Sequence, residues 1–473
     1  MSRDFKYKTA EALAADARTR GLSVRLQADL SPLAAPIEIG GRRVGNRLVV
    51  QPMEGCDGTI DGAPGELTMR RYVRFGAGGA KLIWGEAAAV VPEARANTRQ
   101  LLMAEAHAPL LQKMLAECRA AHRREWGTDS DLLVGLQLTH SGRYSVPRPI
   151  LAQHDPLLDP RTIVNKATGA VADASTPLLS DADLDRLQDH YAAAARLAFS
   201  IGFDFVDLKQ CHRYLLNELL AAKTRPGKYG GSFENRTRFI RALVARIRSE
   251  NPDGIIGTRL NIFDGIPYQY AGADAPGVPA PFTVPVRSAW GTCEDDPFTP
   301  DLAEPIALIG QLRDLGVSLF NLSIGNPYAS PHLLRPFEYA PVDGYQTPEH
   351  PLIGVDRHFR LTEEVQRAVP DLAIVGSGYS WLQAYLFQAG AANVAEGRVS
   401  LVGVGRGSLS QPDFGRHVLR GEPLDPKRLC RTFSYCTALM RSKHNEMGQF
   451  ATGCPPFDKA VYGPIWDEAS KKK

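Results

Sequence analysis

Residues 181–220 read DADLDRLQDHYAAAARLAFSIGFDFVDLKQCHRYLLNELL. The first half carries apolar residues at helical spacing behind a Ser180-Asp181 cap. After a glycine, the run FDFVDL reads as a strand. Lys209, Cys211 and His212 then fall within four positions, where that strand gives way to a loop. These residue types allow a metal site, an acid–base pair, or two donors aimed at one substrate oxygen.

Working outward, the same helix–strand rhythm repeats. Eight strand candidates can be counted: NRLVVQPM from Asn46, KLIWGEAAA from Lys81, LLVGLQLTH from Leu132, FDFVDLK from Phe203, IIGTRLNI from Ile255, SLFNLSIG from Ser318, LAIVGSG from Leu372 and SLVGVGRG from Ser400. Each precedes a candidate helix. ENRTRFIRALVARIRSENPDG, for example, stops in Pro and Gly as a terminated helix does. Eight β–α alternations predict an α/β fold, a (β/α)8 TIM barrel. The other candidate, an open doubly wound sheet, needs an early phosphate loop, and no G-x-x-x-x-G-K-[ST] is present. GSGYSW begins like a dinucleotide fingerprint but has Trp381 where the third glycine belongs.

Residues 1–35 read as an N-terminal helical extension, 36–425 as the barrel and 426–473 as a C-terminal helical tail. IEIGGRRVGN, ahead of the first strand, reads as a glycine-turn hairpin able to plug the barrel bottom. Long Pro/Gly-rich insertions follow the third, fifth and sixth strands, on the face where barrels do chemistry. Their aromatic residues, Tyr268, Trp290, Tyr328 and Tyr345, predict ordered walls.

The charge balance of +3 over 473 residues gives no basic surface for nucleic acid or an anionic membrane. The basic runs RTR (residues 18–20) and KKK (residues 471–473) read as solvated tails. No stretch approaches the length of a membrane span, and the start of the chain lacks a signal-peptide core. Seven scattered cysteines without a C-x-x-C pair point to a reducing compartment, so a cytoplasmic protein is expected. A small-molecule substrate is expected, and nothing excludes a homo-oligomer.

The strand ends supply the chemistry. The first ends in Gln51, Met53 and Glu54, the second in Glu86 and Ala87, the third in Gln137 and His140, the fourth in Lys209 and His212, and the fifth in Arg259. The seventh gives Gly376, Ser377 and Gly378, and the eighth gives Gly403 to Gly407 around Arg406. Two glycine-rich strand ends that each open a helix form a phosphate cup, with Arg406 as a further contact. A phosphate cup opposite an amide and a guanidinium suits a flat polar heterocycle such as flavin mononucleotide.

From these motifs the chain resembles the old yellow enzyme family of FMN-dependent oxidoreductases. VGNRLVVQPM, GAKLIWGEAAAV, VGLQLTHSGR, GFDFVDLKQCHRYLLNELL, YGGSFENRTRF, GTRLNI, IVGSGY and VGVGRGSLSQPDF occur in the family's order, over roughly residues 36–421. The resemblance implies a barrel that binds FMN and takes hydride from NADH or NADPH. It then passes the hydride to the activated C=C of an α,β-unsaturated carbonyl compound. It implies that Pro52, Met53 and Ala87 lie beside the flavin ring, with Glu54 next to them. Gln137 would meet the pyrimidine edge, Arg259 the N1/O2 region, and Gly376, Ser377, Gly378, Gly405 and Arg406 the phosphate. Tyr214 matches a proton-donating tyrosine, and Lys209 and His212 match the pair that grips the substrate oxygen.

Two departures stand out. Lys209 occupies a position where the family keeps histidine, and Glu54 one where many bacterial relatives have a small residue or cysteine. The family's geometry implies that Glu54 orients Lys209. The lysine suits an oxygen more anionic than a ketone's, and it keeps two other readings open: the same flavin site run oxidatively as a dehydrogenase or demethylase, and a flavin-free lyase using Lys209 as a Schiff base. Multidomain relatives such as 2,4-dienoyl-CoA reductase and trimethylamine dehydrogenase carry an iron–sulfur cluster and a second nucleotide-binding domain. The present sequence is expected to lack that domain. Its tail offers Cys430, Cys436 and Cys454 but not the four close thiolates a cluster needs, with His444 the remaining candidate ligand. No metal site is expected, and the tail reads as a remnant or an interface element.

Overall fold

The computed structural model describes residues 4–272, 275–341 and 344–471. Eight parallel strands form a closed barrel: β1 (Leu48–Val50), β2 (Leu82–Ala89), β3 (Leu133–Thr139), β4 (Phe205–Leu208), β5 (Ile255–Phe263), β6 (Val317–Ile324), β7 (Ala373–Gly376) and β8 (Leu401–Val404). Each pairs with the next in sequence, and β8 closes on β1 with Val402 opposite Leu48. All eight strand expectations are met. Parallel strands covered on both faces need apolar residues nearly throughout, and every residue of β2 is buried.

A helix follows each strand: α1 (Glu66–Ala77), α2 (Ala108–Trp126), α3 (Asp181–Ile201), α4 (Phe233–Glu250), α5 (Ala303–Asp314), α6 (Pro351–Ala368), α7 (Leu386–Ala395) and the short α8 (Gly415–Arg420). The expected cap of α3 is present. The Ser180 hydroxyl accepts from the Asp183 amide, and Asp183 reaches back to the Ser180 amide.

The lower barrel is filled by Val49, Leu82, Trp84, Leu133, Phe205, Ile255, Leu319, Val375 and Leu401. Ile39 and Val44 of the hairpin Ile37–Ile39/Arg42–Val44 join them, so the hairpin closes the bottom. Trp84 and Phe205 meet edge to face at 5.0 Å. Each such burial is worth about 2–3 kcal/mol, so the strand carboxyl ends rest on a rigid floor.

Before the barrel, a helix at Ala10–Thr19 buries Leu13 and Ala17, and Phe5 packs on Trp381 at 5.3 Å. Arg18, Thr19 and Arg20 are exposed, while residues 472–473 of the terminal lysine run lie outside the described residues. So do residues 273–274 and 342–343, in the insertions after the fifth and sixth strands. No helix among the described residues is long and apolar enough to cross a membrane. After the barrel, helices at Tyr435–Arg441 and Lys459–Ser470 turn back over its carboxyl face. They are held there by Arg70 and Arg74 on Asp458 and by the Thr452 amide on the Gly55 carbonyl, 2.7 Å away.

Candidate active site

The carboxyl ends of the strands surround a cavity with about 1090 Å³ of atom-free space. Pro52, Met53, Glu54, Ala87, Gln137 and Arg259 line one side, and Ser377, Gly378, Gly405 and Arg406 the other, with Lys209, His212 and Tyr214 between. Gly376 does not line it. It belongs to β7, where an added Cβ would face Val399 and Tyr379. His140 is also turned away, its Nδ1 accepting from the Gly142 amide at 3.0 Å. Glu86 faces Arg71 at 2.5 Å, which itself holds Asp57.

The glycine turns differ from expectation in one respect. Residues after β7 enter a 3-10 turn at Tyr379–Tyr385, and those after β8 enter a helix of only five residues, Arg406–Ser410. Helix dipoles are therefore weak here, and any phosphate contact rests on backbone amides and Arg406. Gly378 sits at φ +92, a conformation side chains rarely adopt.

Beneath the cavity lies a polar network that joins residues expected from the sequence to others not singled out there, Asn321 and Asp207 among them. Asn321 donates to Gln51 Oε1 at 2.7 Å, Gln51 Nε2 donates to Ser377 Oγ at 3.1 Å, and Ser377 donates to the Leu322 carbonyl at 2.9 Å. Asp207 on β4 accepts from Trp84 Nε1 at 2.7 Å, from Gln137 Nε2 at 2.6 Å and from the Arg259 amide at 2.6 Å. Burial pushes its carboxyl up to about 6, against the pull of these donors. Asp207 thereby fixes Gln137 and the Arg259 backbone from below. Its signal in the sequence was a charged residue at an inward register of an apolar strand. Asp207→Leu leaves three buried donors unpaired, at about 1–3 kcal/mol each. A lower melting temperature and misplaced Gln137 are expected, and a thermal scan with a crystal structure checks both.

His212 and Arg213 both adopt left-handed backbone, at φ +66 and +61. Such residues cost about 1 kcal/mol or more each unless held. Arg213 is held by Asp155 and Asp264, each at 3.0 Å, and Asn326 Nδ2 donates to the His212 carbonyl at 2.9 Å. The turn aims the His212 ring at the cavity, with Nε2 3.1 Å from Ser323 Oγ. Burial, Arg259 and Lys209 keep this imidazole well below its usual range, so it is neutral.

Lys209 is 5% exposed, and its ammonium sits 3.6 Å from the centroid of the Tyr214 ring. It makes no ion pair among the described residues, so Glu54 does not orient it by direct contact. Glu54 instead accepts from Asn97. Burial pushes the ammonium down to about 8, against the pull of Cys211 and Glu54, and pushes Glu54 up to about 7, against the pull of Lys209. Tyr214 shares a hydrogen bond with Tyr328 at 3.0 Å, and Tyr144 packs against both rings. Burial holds the Tyr214 hydroxyl well above its usual range, so it keeps its proton.

The tail was expected to be a remnant or an interface element. It also builds the site, because Thr437, Met440 and Arg441 line the cavity. Cys430, Cys436 and Cys454 border a separate hollow beyond Arg406. Among the described residues no group of three or more His, Cys, Asp or Glu is placed to hold a metal ion.

The cavity fits a flat, anionic, phosphate-bearing group. Arg259 and Arg406 pair with no carboxylate among the described residues. Arg259 Nε and one Arg406 terminal nitrogen are buried without a partner, the other donating to the Pro336 carbonyl at 2.6 Å. Lys209, Arg259 and Arg406 line the cavity, and the one carboxylate beside them among the described residues is Glu54. Uncompensated buried cations are costly, and an anion between them removes that cost.

The sequence model of the NADH:flavin oxidoreductase / NADH oxidase family matches residues 32–282. The chain belongs to this family. It is 30% identical over 238 residues to the NADPH dehydrogenase of Geobacillus sp. (strain WCH70), and 29% identical over 240 residues to that of Bacillus subtilis (strain 168). Each alignment covers 49% of this chain and 64% of the relative. Among solved structures, 2-naphthoyl-CoA reductase with 2-naphthoyl-CoA superposes with a TM-score of 0.64 at 18% identity, over 93% of this chain and 58% of that one. The old yellow enzyme homologue of Zymomonas mobilis superposes with a TM-score of 0.58 at 20% identity, over 84% and 94%. At those identities the superpositions establish the barrel fold. Together with the family match, they bear out the resemblance to old yellow enzymes.

Proposed function

We propose that this chain is an FMN-dependent NAD(P)H oxidoreductase that reduces an activated C=C conjugated to an acidic or strongly polarised oxygen function. The observation that carries the reading is a pair of guanidiniums, half-buried Arg259 and buried Arg406, that face one cavity with no carboxylate partner among the described residues, each with a buried nitrogen left unpaired. Arg406 with Ser377, Gly378 and Gly405 would hold the phosphate, Arg259 and Gln137 the ring edge, and Pro52, Met53 and Ala87 its flank. A flavin held by these residues would supply hydride transfer between a nicotinamide and an electron-poor alkene carbon.

The chain's own residues bind and polarise the alkene. Charge grows on the substrate oxygen as hydride arrives, so donors aimed at that oxygen lower the barrier. Lys209 offers a full charge and His212 a neutral, directional N–H. Tyr214, kept protonated by burial and linked to Tyr328, is the proton source for the neighbouring carbon. Because this is a flavin-oxidoreductase family, the Schiff-base reading of Lys209 is not carried further. The cytoplasmic placement stays part of the proposal, supported by seven cysteines that are all unpaired.

Anaerobic stopped-flow tests the reading. The purified protein should be yellow, bleach on mixing with NADPH, and recover colour with an α,β-unsaturated acid or aldehyde. A protein that neither carries nor rebinds FMN would refute it. Bleaching by a saturated amine or alcohol, with none by NADPH, would point to the oxidative direction.

A pH dependence follows from Lys209. Its charged form does the work, and that form is lost as pH rises through about 8. The alkene-reduction rate should therefore fall about tenfold per pH unit above that point. Lys209→Arg, which stays charged, should abolish the alkaline fall even at a lower absolute rate. An unchanged alkaline limb in the arginine variant would remove Lys209 from the assignment.

A further inference from the structure

A second hollow, of about 1160 Å³, adjoins the flavin cavity. Glu54, Tyr328, Met440 and Arg441 line both, so a single ligand can reach from one into the other. Its walls come mainly from the insertion after β3 and from the tail, with Ala96, Asn97 and Tyr328 completing them. They carry the cationic side chains Arg143, Arg161, Lys166 and Lys443, and the one carboxylate lining the hollow among the described residues is Glu54 at the neck.

These cations are not equivalent. Arg143 is buried and neutralised by Asp159 at 2.6 Å and Glu218 at 2.5 Å. Arg161 donates to the Tyr268 carbonyl at 2.8 Å and meets no carboxylate among the described residues. Lys166 and Lys443 are exposed and make no ion pair among them. Arg161, Lys166 and Lys443 thus surround one concavity with their charge uncompensated. Like charges focused in a concave wall repel one another and raise the local concentration of anions. Three of them suit a multiply charged phosphate better than a single carboxylate. Tyr144 and Tyr328, which also border the hollow, offer apolar flank between that anion site and the reaction cavity.

We propose that this annex holds the phosphate or diphosphate tail of a ligand whose reactive end lies in the flavin cavity. The inference rests on the flavin reading for the place of the reactive end, but not for the anion site. Two sources share this chemistry: the diphosphate of the nicotinamide reductant, and a phosphorylated carrier attached to the alkene substrate.

The test uses flavin-loaded protein, so that the cup around Arg406 is already filled, with inorganic pyrophosphate as the probe. Calorimetry should show one saturable site that weakens as salt rises. The K166S/K443S double variant should bind at least about tenfold more weakly, with its flavin spectrum unchanged. A Lys113→Ser variant, altered on the far exposed face of α2, should bind as wild type does. No saturable binding, or equal binding by the double variant, overturns the proposal.

Competition then separates the sources. Pyrophosphate that competes with NADPH in anaerobic flavin reduction assigns the annex to the reductant. Competition with cinnamoyl-coenzyme A in flavin reoxidation, but not with the phosphate-free N-acetylcysteamine thioester, assigns it to the substrate. Competition with neither overturns it. If the protein proves to hold no flavin, the proposed activity fails, while the calorimetric comparison still decides the annex.

Discussion

Gly403→Ala is expected to yield protein without bound flavin. Gly403 lies in β8, and a Cβ there would sit 2.0 Å from Gln51 Nε2 and 2.7 Å from the carbonyl oxygen of Gly376 on the neighbouring strand. Neither obstacle can move cheaply. The Gly376 carbonyl belongs to the paired backbone of the barrel. Gln51 is clamped between Asn321 and Ser377, so displacing it breaks two buried hydrogen bonds and shifts the serine at the cup. Overpacking of this kind costs about 1–3 kcal/mol. The fold should survive, because the lower barrel is untouched. The flavin-to-protein ratio after purification should fall close to zero, and added FMN should restore it only at high concentration. A variant purified with a full complement of flavin would show that this wall does not shape the cofactor site.

Lys209→Met should separate the two halves of the proposed reaction and also stabilise the protein. Methionine keeps most of the length and loses the charge. Removing one donor to a developing oxyanion typically costs about 10²–10³-fold in rate, so flavin reoxidation by an enone or enoate should slow by that factor. Flavin reduction by NADPH, which builds no charge on the substrate oxygen, should change far less. Meanwhile Lys209 is a buried cation whose ionisation is pushed down from its usual 10.5 to about 8. At neutral pH that shift corresponds to about 3 kcal/mol of folding free energy lost in keeping it charged. The methionine variant should therefore melt higher. Reoxidation at the wild-type rate would remove Lys209 as the oxygen-binding group. An unchanged melting temperature would show that the Tyr214 ring, 3.6 Å away, already offsets the burial.

Much of the site was legible because barrel geometry converts sequence position into spatial position. A residue one or two places beyond an apolar run lies on the carboxyl face, whichever of the eight runs it follows. That rule collected Met53, Lys209, Gly378 and Arg406 around one cavity, where they join Ala87, Gln137 and Arg259 from within β2, β3 and β5. It overreached for His140 and Gly376, because a strand end has two faces and the register of the last residue decides which is inward. It missed Asp207, which does not line the cavity but holds Gln137 and the Arg259 amide from below. It could not bring in Thr437, Met440 and Arg441, because nothing in a tail helix records where that helix will dock.

The sequence by itself determined the barrel, through eight repeats of a pattern whose faces can be buried only against one another. It also determined the residue types offered at the strand ends, including a lysine in place of histidine. The tertiary structure decided what those types become. Contacts far apart in the chain place Asp207 beneath Gln137 and Arg259. They hold two left-handed residues in place through Asp155 and Asp264, and fold the tail over the cavity. The same contacts bury Lys209 without a carboxylate partner among the described residues. Its charge is written in the sequence, but its readiness to lose that charge near pH 8 comes from the water that the closed barrel excludes.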